Sequence, residues 1–158
     1  MAVNESLFPD LVRTGYQVTS PPDPVYNCIA WAAGATDAWW WPDPNGFDYW
    51  PPGVPVACTL DAFIQAFATV GYAPCADGAP ETGWEKVAVY ANDDGPAHAA
   101  RQLPNGRWTS KLGPDDDIEH TLEGLVSPLY GTVVQFLRRP VRPESRTGMI
   151  DQGQRDQD

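Results

Sequence analysis

The chain has 158 residues, 21 of them acidic against 10 basic, for a formal net charge of −11. That length fits one domain and buries roughly 68–70% of the surface an unfolded chain exposes, so a core needs neither a disulfide framework nor a structural metal. The acidic balance releases no counterions from phosphates and excludes nucleic acid and anionic membranes as expected partners.

Seventeen Pro and 14 Gly indicate a loop-rich globular chain. Three Cys is an odd number: Cys58 and Cys75 can pair, which leaves Cys28 alone. The first ten residues, MAVNESLFPD, do not read as a secretory signal, and no run approaches the ~18 apolar residues of a membrane span. The default compartment is therefore the cytoplasm, with export only by a non-classical route.

In chain order, residues 1–26 read as an extended arm in which no helix begins before Asn27, given Pro21, Pro22 and Pro24. From Cys28 a short buried helix is expected, with Asn27 as its N-cap and Ile29, Trp31 and Ala32 as apolar positions. Residues 39–55 interleave Trp39, Trp40, Trp41, Phe47, Tyr49 and Trp50 with five prolines, which makes a rigid aromatic loop. Thr59 caps a second helix in which Leu60, Phe63, Ile64, Phe67 and Val70 follow the i, i+3, i+4, i+7 rhythm, closed by Gly71.

Strands follow: Lys86–Ala91, then a hairpin of 97–103 and 107–112 around Asn105-Gly106. A short helix is expected over about 117–125, with the run Asp115–Asp117 as its acidic N-terminus, and a last strand over Thr132–Leu137. The segment 141–158 reads as a flexible polar tail. Helices first and tightly turned strands afterwards predict an α+β class with a small antiparallel sheet.

Cys28 falls in the first turn of its helix, where backbone N–H groups and the positive dipole end favour a thiolate and can stabilise an oxyanion. A buried thiol acting as a small hydrophobe is the competing reading. Any Cys-His mechanism must use one of the two histidines, and no cofactor is expected, since the Cys and His spacing lacks metal-ligand pairs. His98 opens a strand and is expected at a sheet edge. His120 is expected on the short helix beside Glu119 and Glu123, facing solvent or a carboxylate.

The string Tyr26-Asn-Cys-Ile-Ala-Trp-Ala32, followed by a strand starting His-Ala-Ala and another carrying Ser-Lys-Leu-Gly, resembles the papain-like superfamily in its compact NlpC/P60 and CHAP forms. The resemblance implies N-terminal helices packed on an antiparallel sheet, within a catalytic domain over 27–140. It implies Cys28 as nucleophile, His98 as general base, and Ser110 where the imidazole-orienting Asn stands. Tyr26 or Asn27 would replace the oxyanion-hole Gln.

Hairpin register decides the third position. A strict two-residue turn puts His98 on the side of Thr109 and Lys111, whereas one residue of slip brings Ser110 to that side, so Lys111 and Gln102 stay open as alternatives.

The leading expectation is a cysteine peptidase or amidase working through a thioester, on a peptide, protein or peptidoglycan-type substrate. Glutamine deamidation or transamidation would use the same pair. The alternative is a non-catalytic papain-like module that binds a protein or glycan through its Trp-rich loop. That loop is either a lid or a wall of the Cys28–His98 cleft carrying at least one of Trp39, Trp40, Trp41 and Trp50, with Asp43 and Asp48 favouring a basic or neutral substrate.

Overall fold

The structure, a computed structural model, describes residues 5–21, 23–112 and 116–141. Its elements are helix α1 (Pro9–Thr14), strand β1 (Tyr16–Ser20), helices α2 (Cys28–Ala33) and α3 (Leu60–Ala68), and strands β2 (Ala73–Cys75), β3 (Trp84–Asn92), β4 (Gly95–Gln102), β5 (Trp108–Lys111), β6 (Asp117–His120) and β7 (Thr132–Pro140). A 3-10 turn spans Glu123–Leu125. The strands form one antiparallel sheet in the order β1-β6-β5-β4-β3-β7-β2, with β4 at its centre.

Alternation along the strands sends side chains to two separate cores. On one face, Val87, Val89, Ala99 and Leu137 pack against Ile29, Ala30 and Ala32 of α2 and Phe63 and Phe67 of α3. On the other, Ala88, Tyr90, Ala100, Trp108 and Ile118 pack against Phe8, Leu11, Leu125 and Tyr130. Thr59 caps α3 by accepting the Ala62 N–H at 3.2 Å, and burial of Phe63 and Phe67 contributes roughly 1.5–3 kcal/mol each.

Two expectations are corrected, and two open questions are answered. The N-terminal arm is folded: α1 begins at Pro9, which a helix accepts in its first turn, and β1 pairs with β6. The segment expected to be a helix over 117–125 instead starts with β6, because pairing to β1 on one side and β5 on the other overrides the helical look of its acids. Asp117 therefore begins a strand, and Asp115 lies outside the described residues, as does the tail from 142. Cys28, Cys58 and Cys75 are all free thiols, so the Cys58–Cys75 pair is not formed.

The second open question is the register of the hairpin. Its loop is three residues, because Leu103 bonds Arg107 (N–H to O, 2.7 Å) and Gly106, at φ 87°, donates back to the Leu103 carbonyl at 2.9 Å. Pro104 has no N–H for a ladder and suits the first corner of a turn, so the turn starts one residue early. Arg101 then pairs with Thr109 and Gln102 with Trp108, which puts His98 and Ser110 on the same face.

Gly131 closes the last turn where β7 meets β3. Its φ is 76°, and a Cβ there would lie 1.8 Å from the Ala91 carbonyl oxygen, closer than any real contact. Gly131→Ala is expected to destabilise the protein by on the order of 3 kcal/mol or more, since both the conformation and the approach are forbidden. Urea unfolding measures this; a loss under about 0.5 kcal/mol would mean that the turn is not built this way.

Candidate functional site

Asn27 organises the start of α2. Its Oδ1 accepts the N–H groups of Ala30 at 3.2 Å and Trp40 at 3.0 Å, and its Nδ2 donates to the Trp40 carbonyl at 2.7 Å. This one residue thus caps the helix and ties the aromatic loop to the position before Cys28. Tyr26 stacks on Trp31 at 5.6 Å and donates its hydroxyl to Asp117 Oδ2 at 3.1 Å; burial pushes that hydroxyl up to about 12. The Lys111 ammonium lies 5.1 Å from the Tyr26 ring centre and donates to the Asp23 carbonyl at 2.7 Å.

The Cys28 thiol sits within this shell as the first residue of α2. Backbone N–H groups of Ala99, Ile29 and Cys28 itself reach it, and Lys111 adds a favourable charge, yet burial outweighs them and pushes the thiol up to about 11. The residue is 7% exposed. Position at a helix start favours a thiolate, but desolvation is the larger effect here.

His98 is not beside Cys28. The residue of β4 that shares Cys28's core is Ala99, and alternation turns His98 to the opposite face, where its ring stacks on Tyr130 at 4.0 Å and meets Tyr90 edge-on at 5.4 Å. The sheet separates the expected nucleophile from the expected base. Nor is His98 at an edge: β4 is the central strand and the side chain is fully buried.

Sequence reasoning missed the full set of partners that His98 does have. Ser110 Oγ lies 2.9 Å from His98 Nε2 and 2.7 Å from His120 Nε2, while His120 Nδ1 lies 2.7 Å from the Thr121 carbonyl. The carbonyl can only accept, so His120 carries its proton on Nδ1 and its Nε2 accepts the Ser110 O–H. Ser110 in turn accepts from His98 Nε2–H, which leaves His98 Nδ1 as a lone pair, buried and without a partner. Burial holds both imidazoles neutral, His120 lowered to about 4 and His98 well below its ordinary value. His120, expected on an exposed helix, is a wholly buried strand residue. The sequence signal for this trio was the period-2 alternation that, in the shifted register, aligns the three residues on one face.

The aromatic loop folds back toward α2, as its length allowed, but not onto a Cys28–His98 cleft. Trp41 and Trp50 pack edge-on against Phe63 at 5.6 and 5.1 Å, Trp40 is buried against Tyr49 at 5.0 Å, and Trp39 is half-buried. Trp50 Nε1 donates to the Pro55 carbonyl at 2.9 Å. Clefts of about 700 and 540 Å³ lie elsewhere on the surface, lined by none of these residues. Of the alternatives for the third position, Lys111 lies on the Cys28 side, and Gln102 donates to the Gly78 carbonyl at 2.6 Å, away from both. Among the described residues no cluster of His, Cys, Asp and Glu could hold a metal ion, and no helix is long and apolar enough to cross a membrane.

A family model described as a domain of unknown function, DUF7689, matches residues 17–138, and the chain belongs to that family. The match takes in Cys28, His98, Ser110 and His120. No curated protein and no solved structure matches the sequence.

Two outcomes follow from the buried imidazoles. Ser110→Ala leaves a donor and an acceptor unpaired and should cost roughly 1–3 kcal/mol for each in urea unfolding; a total loss below about 0.5 kcal/mol would contradict the bridge. His120 stays neutral when folded but accepts a proton near its ordinary value of 6.5 when unfolded, so the unfolded state binds more protons between pH 6.5 and about 4. Stability is therefore full above pH 6.5 and falls with pH through that window, His120 alone contributing on the order of 3 kcal/mol. His120→Gln should flatten this slope, as read from melting curves at each pH.

Proposed function

We propose that this chain is a non-catalytic binding module that recognises a basic protein segment through its Trp- and Pro-rich loop. The observation that carries the reading is the exposure of Phe47, at 86%, on a loop otherwise pinned in place. Asp43 holds the tip by accepting the N–H groups of Asn45 and Phe47, each at 3.0 Å. Trp41 N–H bonds the Tyr49 carbonyl at 3.0 Å, and Tyr49 N–H bonds the Trp39 carbonyl at 2.9 Å. An aromatic side chain held out on a rigid backbone loses little entropy on binding, and such residues dominate interface energies.

Charge complementarity supports a basic partner. Residues 14–72 contain no Lys or Arg, but carry Asp23, Asp37, Asp43, Asp48 and Asp61. Tyr49 and Val56, 44% and 54% exposed, are further apolar side chains open to solvent on the same stretch of chain. Lysine and arginine bury their stems on aromatic rings and keep their charge toward carboxylates, so a segment rich in both fits this surface. A helix carrying Cys28 laid on an antiparallel sheet also supports a papain-like scaffold. The neutral buried thiol and the imidazole on the far face support a scaffold whose Cys28 serves packing rather than hydrolysis, deamidation or transamidation.

The test titrates the full-length protein with a nona-arginine peptide and reads tryptophan fluorescence. Phe47→Ala should weaken binding at least tenfold, about 1.4 kcal/mol, while Cys28→Ala leaves it unchanged. Affinity should fall as salt rises. Binding equal in wild type and Phe47→Ala would reduce the interaction to bulk charge and overturn the reading.

A second expectation concerns the thiol. With iodoacetamide at neutral pH, exposed Cys58 should be labelled well before Cys28, whose thiolate is scarce. Cys28 labelling first, with a rate that drops in His98→Ala, would restore the thiol-hydrolase reading.

A further inference from the structure

The cleft of about 700 Å³ lies at the end of the sheet away from the β3–β4 turn, where Trp84, Arg101, Gln102, Leu103, Pro104 and Arg139 line it. Arg101 is the anomaly. Carboxylates outnumber cations two to one in this protein, and Arg13, Lys86, Arg107, Arg138 and Arg139 each pair with one. Arg101 makes no ion pair or hydrogen bond among the described residues, and its Nε is buried without an acceptor. What fixes it is the Trp31 ring, whose centre lies 5.0 Å from its guanidinium carbon. The buried, unpaired Nε carries a desolvation cost, and the Nη groups, which no carboxylate among the described residues engages, are the fork that a ligand would meet.

We propose that this cleft binds a monocarboxylate on an apolar or aromatic body, with Arg101 gripping the carboxylate. The guanidinium fork matches the two oxygens of a carboxylate. A monoanion is favoured over a dianion because only one of the cations lining this cleft is unpaired. Arg139 is held by Glu85 and by the Val70 carbonyl at 2.7 Å, and Glu81 is held by Lys86 at 2.7 Å and Arg138 at 2.8 Å. Glu81 and Glu85 both line the cleft and repel a second negative charge.

Polar and apolar groups nearby complete the fit. Gln102, whose Nε2 is engaged with Gly78, keeps its carbonyl oxygen for a ligand donor. Pro80, Leu103, Pro104 and Val141 offer apolar wall, the mixture typical of a small-molecule site. This site is distinct from the aromatic loop and does not depend on the proposed function.

The experiment is a calorimetric titration of the full-length protein with phenylacetate, phenylacetamide, inorganic phosphate, and acetyl-Ala-Phe as its free acid and as its amide. Saturable binding of an acid, at least tenfold weaker for the matching amide and for phosphate, is expected. Arg101→Gln should lose that binding and Arg101→Lys keep part of it. A peptide acid binding tighter than phenylacetate identifies the C-terminal carboxylate of a polypeptide as the source, and the reverse order a free small acid; both uphold the site. Absence of saturable acid binding, equal binding of acid and amide, or full binding by folded Arg101→Gln overturns it. Should Arg101→Gln fail to fold, phenylglyoxal modification of Arg101 in the wild-type protein decides instead. Phenylacetate should slow it several-fold and phenylacetamide should not; equal rates overturn the site.

Discussion

A single hydroxyl, that of Ser110, stands between two buried imidazoles, and the chemistry of the fold is distributed according to which side of the sheet that trio occupies. Three strands contribute one residue each, His98 from β4, Ser110 from β5 and His120 from β6, and the Thr121 carbonyl fixes the direction of every proton along this line of hydrogen bonds. Burying two imidazoles is tolerable only because both are neutral and linked. Once His98 is committed to that face, alternation gives the other face to Ala99, and Cys28 is left with backbone N–H groups and a methyl rather than a base.

The sequence made local features legible and left long-range ones hidden. The spacing from Leu60 to Val70, the Thr59 and Asn27 caps, and the antiparallel strands after residue 84 rest on short-range rules, and they are present in the structure. β1 and β6 are strands because each finds the other across about a hundred residues, which no local pattern reports. The acids at 115–119 imitate a helix start, and pairing on both edges overrides them. At the hairpin the register stayed open: Asn105-Gly106 suits a two-residue turn, while Pro104 lets the turn begin one residue earlier. That one residue decides whether Ser110 or Lys111 shares a face with His98. At Cys28 the position was legible and the balance between helix start and burial stayed open; burial exceeds what a helix start and Lys111 supply.

Charge is divided as sharply as the two cores. The stretch bearing the aromatic loop has carboxylates and no cations, and the cations Lys86, Arg101, Arg138 and Arg139 gather on β3, β4 and β7. Asp43 spends its carboxylate on the turn that carries Phe47, so acidity in the loop serves shape as well as potential. Around the cleft the carboxylates Asp77, Glu81 and Glu85 neutralise their neighbours and leave Arg101 unmatched. A strongly acidic protein thus presents one surface suited to cations and one cleft suited to an anion.

Long-range proton–nitrogen NMR of the two imidazoles tests most directly whether the sheet separates Cys28 from His98. The spectrum at pH 6 should show two neutral rings in opposite tautomers, with the proton on Nε2 in His98 and on Nδ1 in His120. Neither set of shifts should move in Cys28→Ala. An imidazolium at His98 that disappears when the thiol is removed would contradict the account, because it would require a thiolate and an imidazole on the same face of β4.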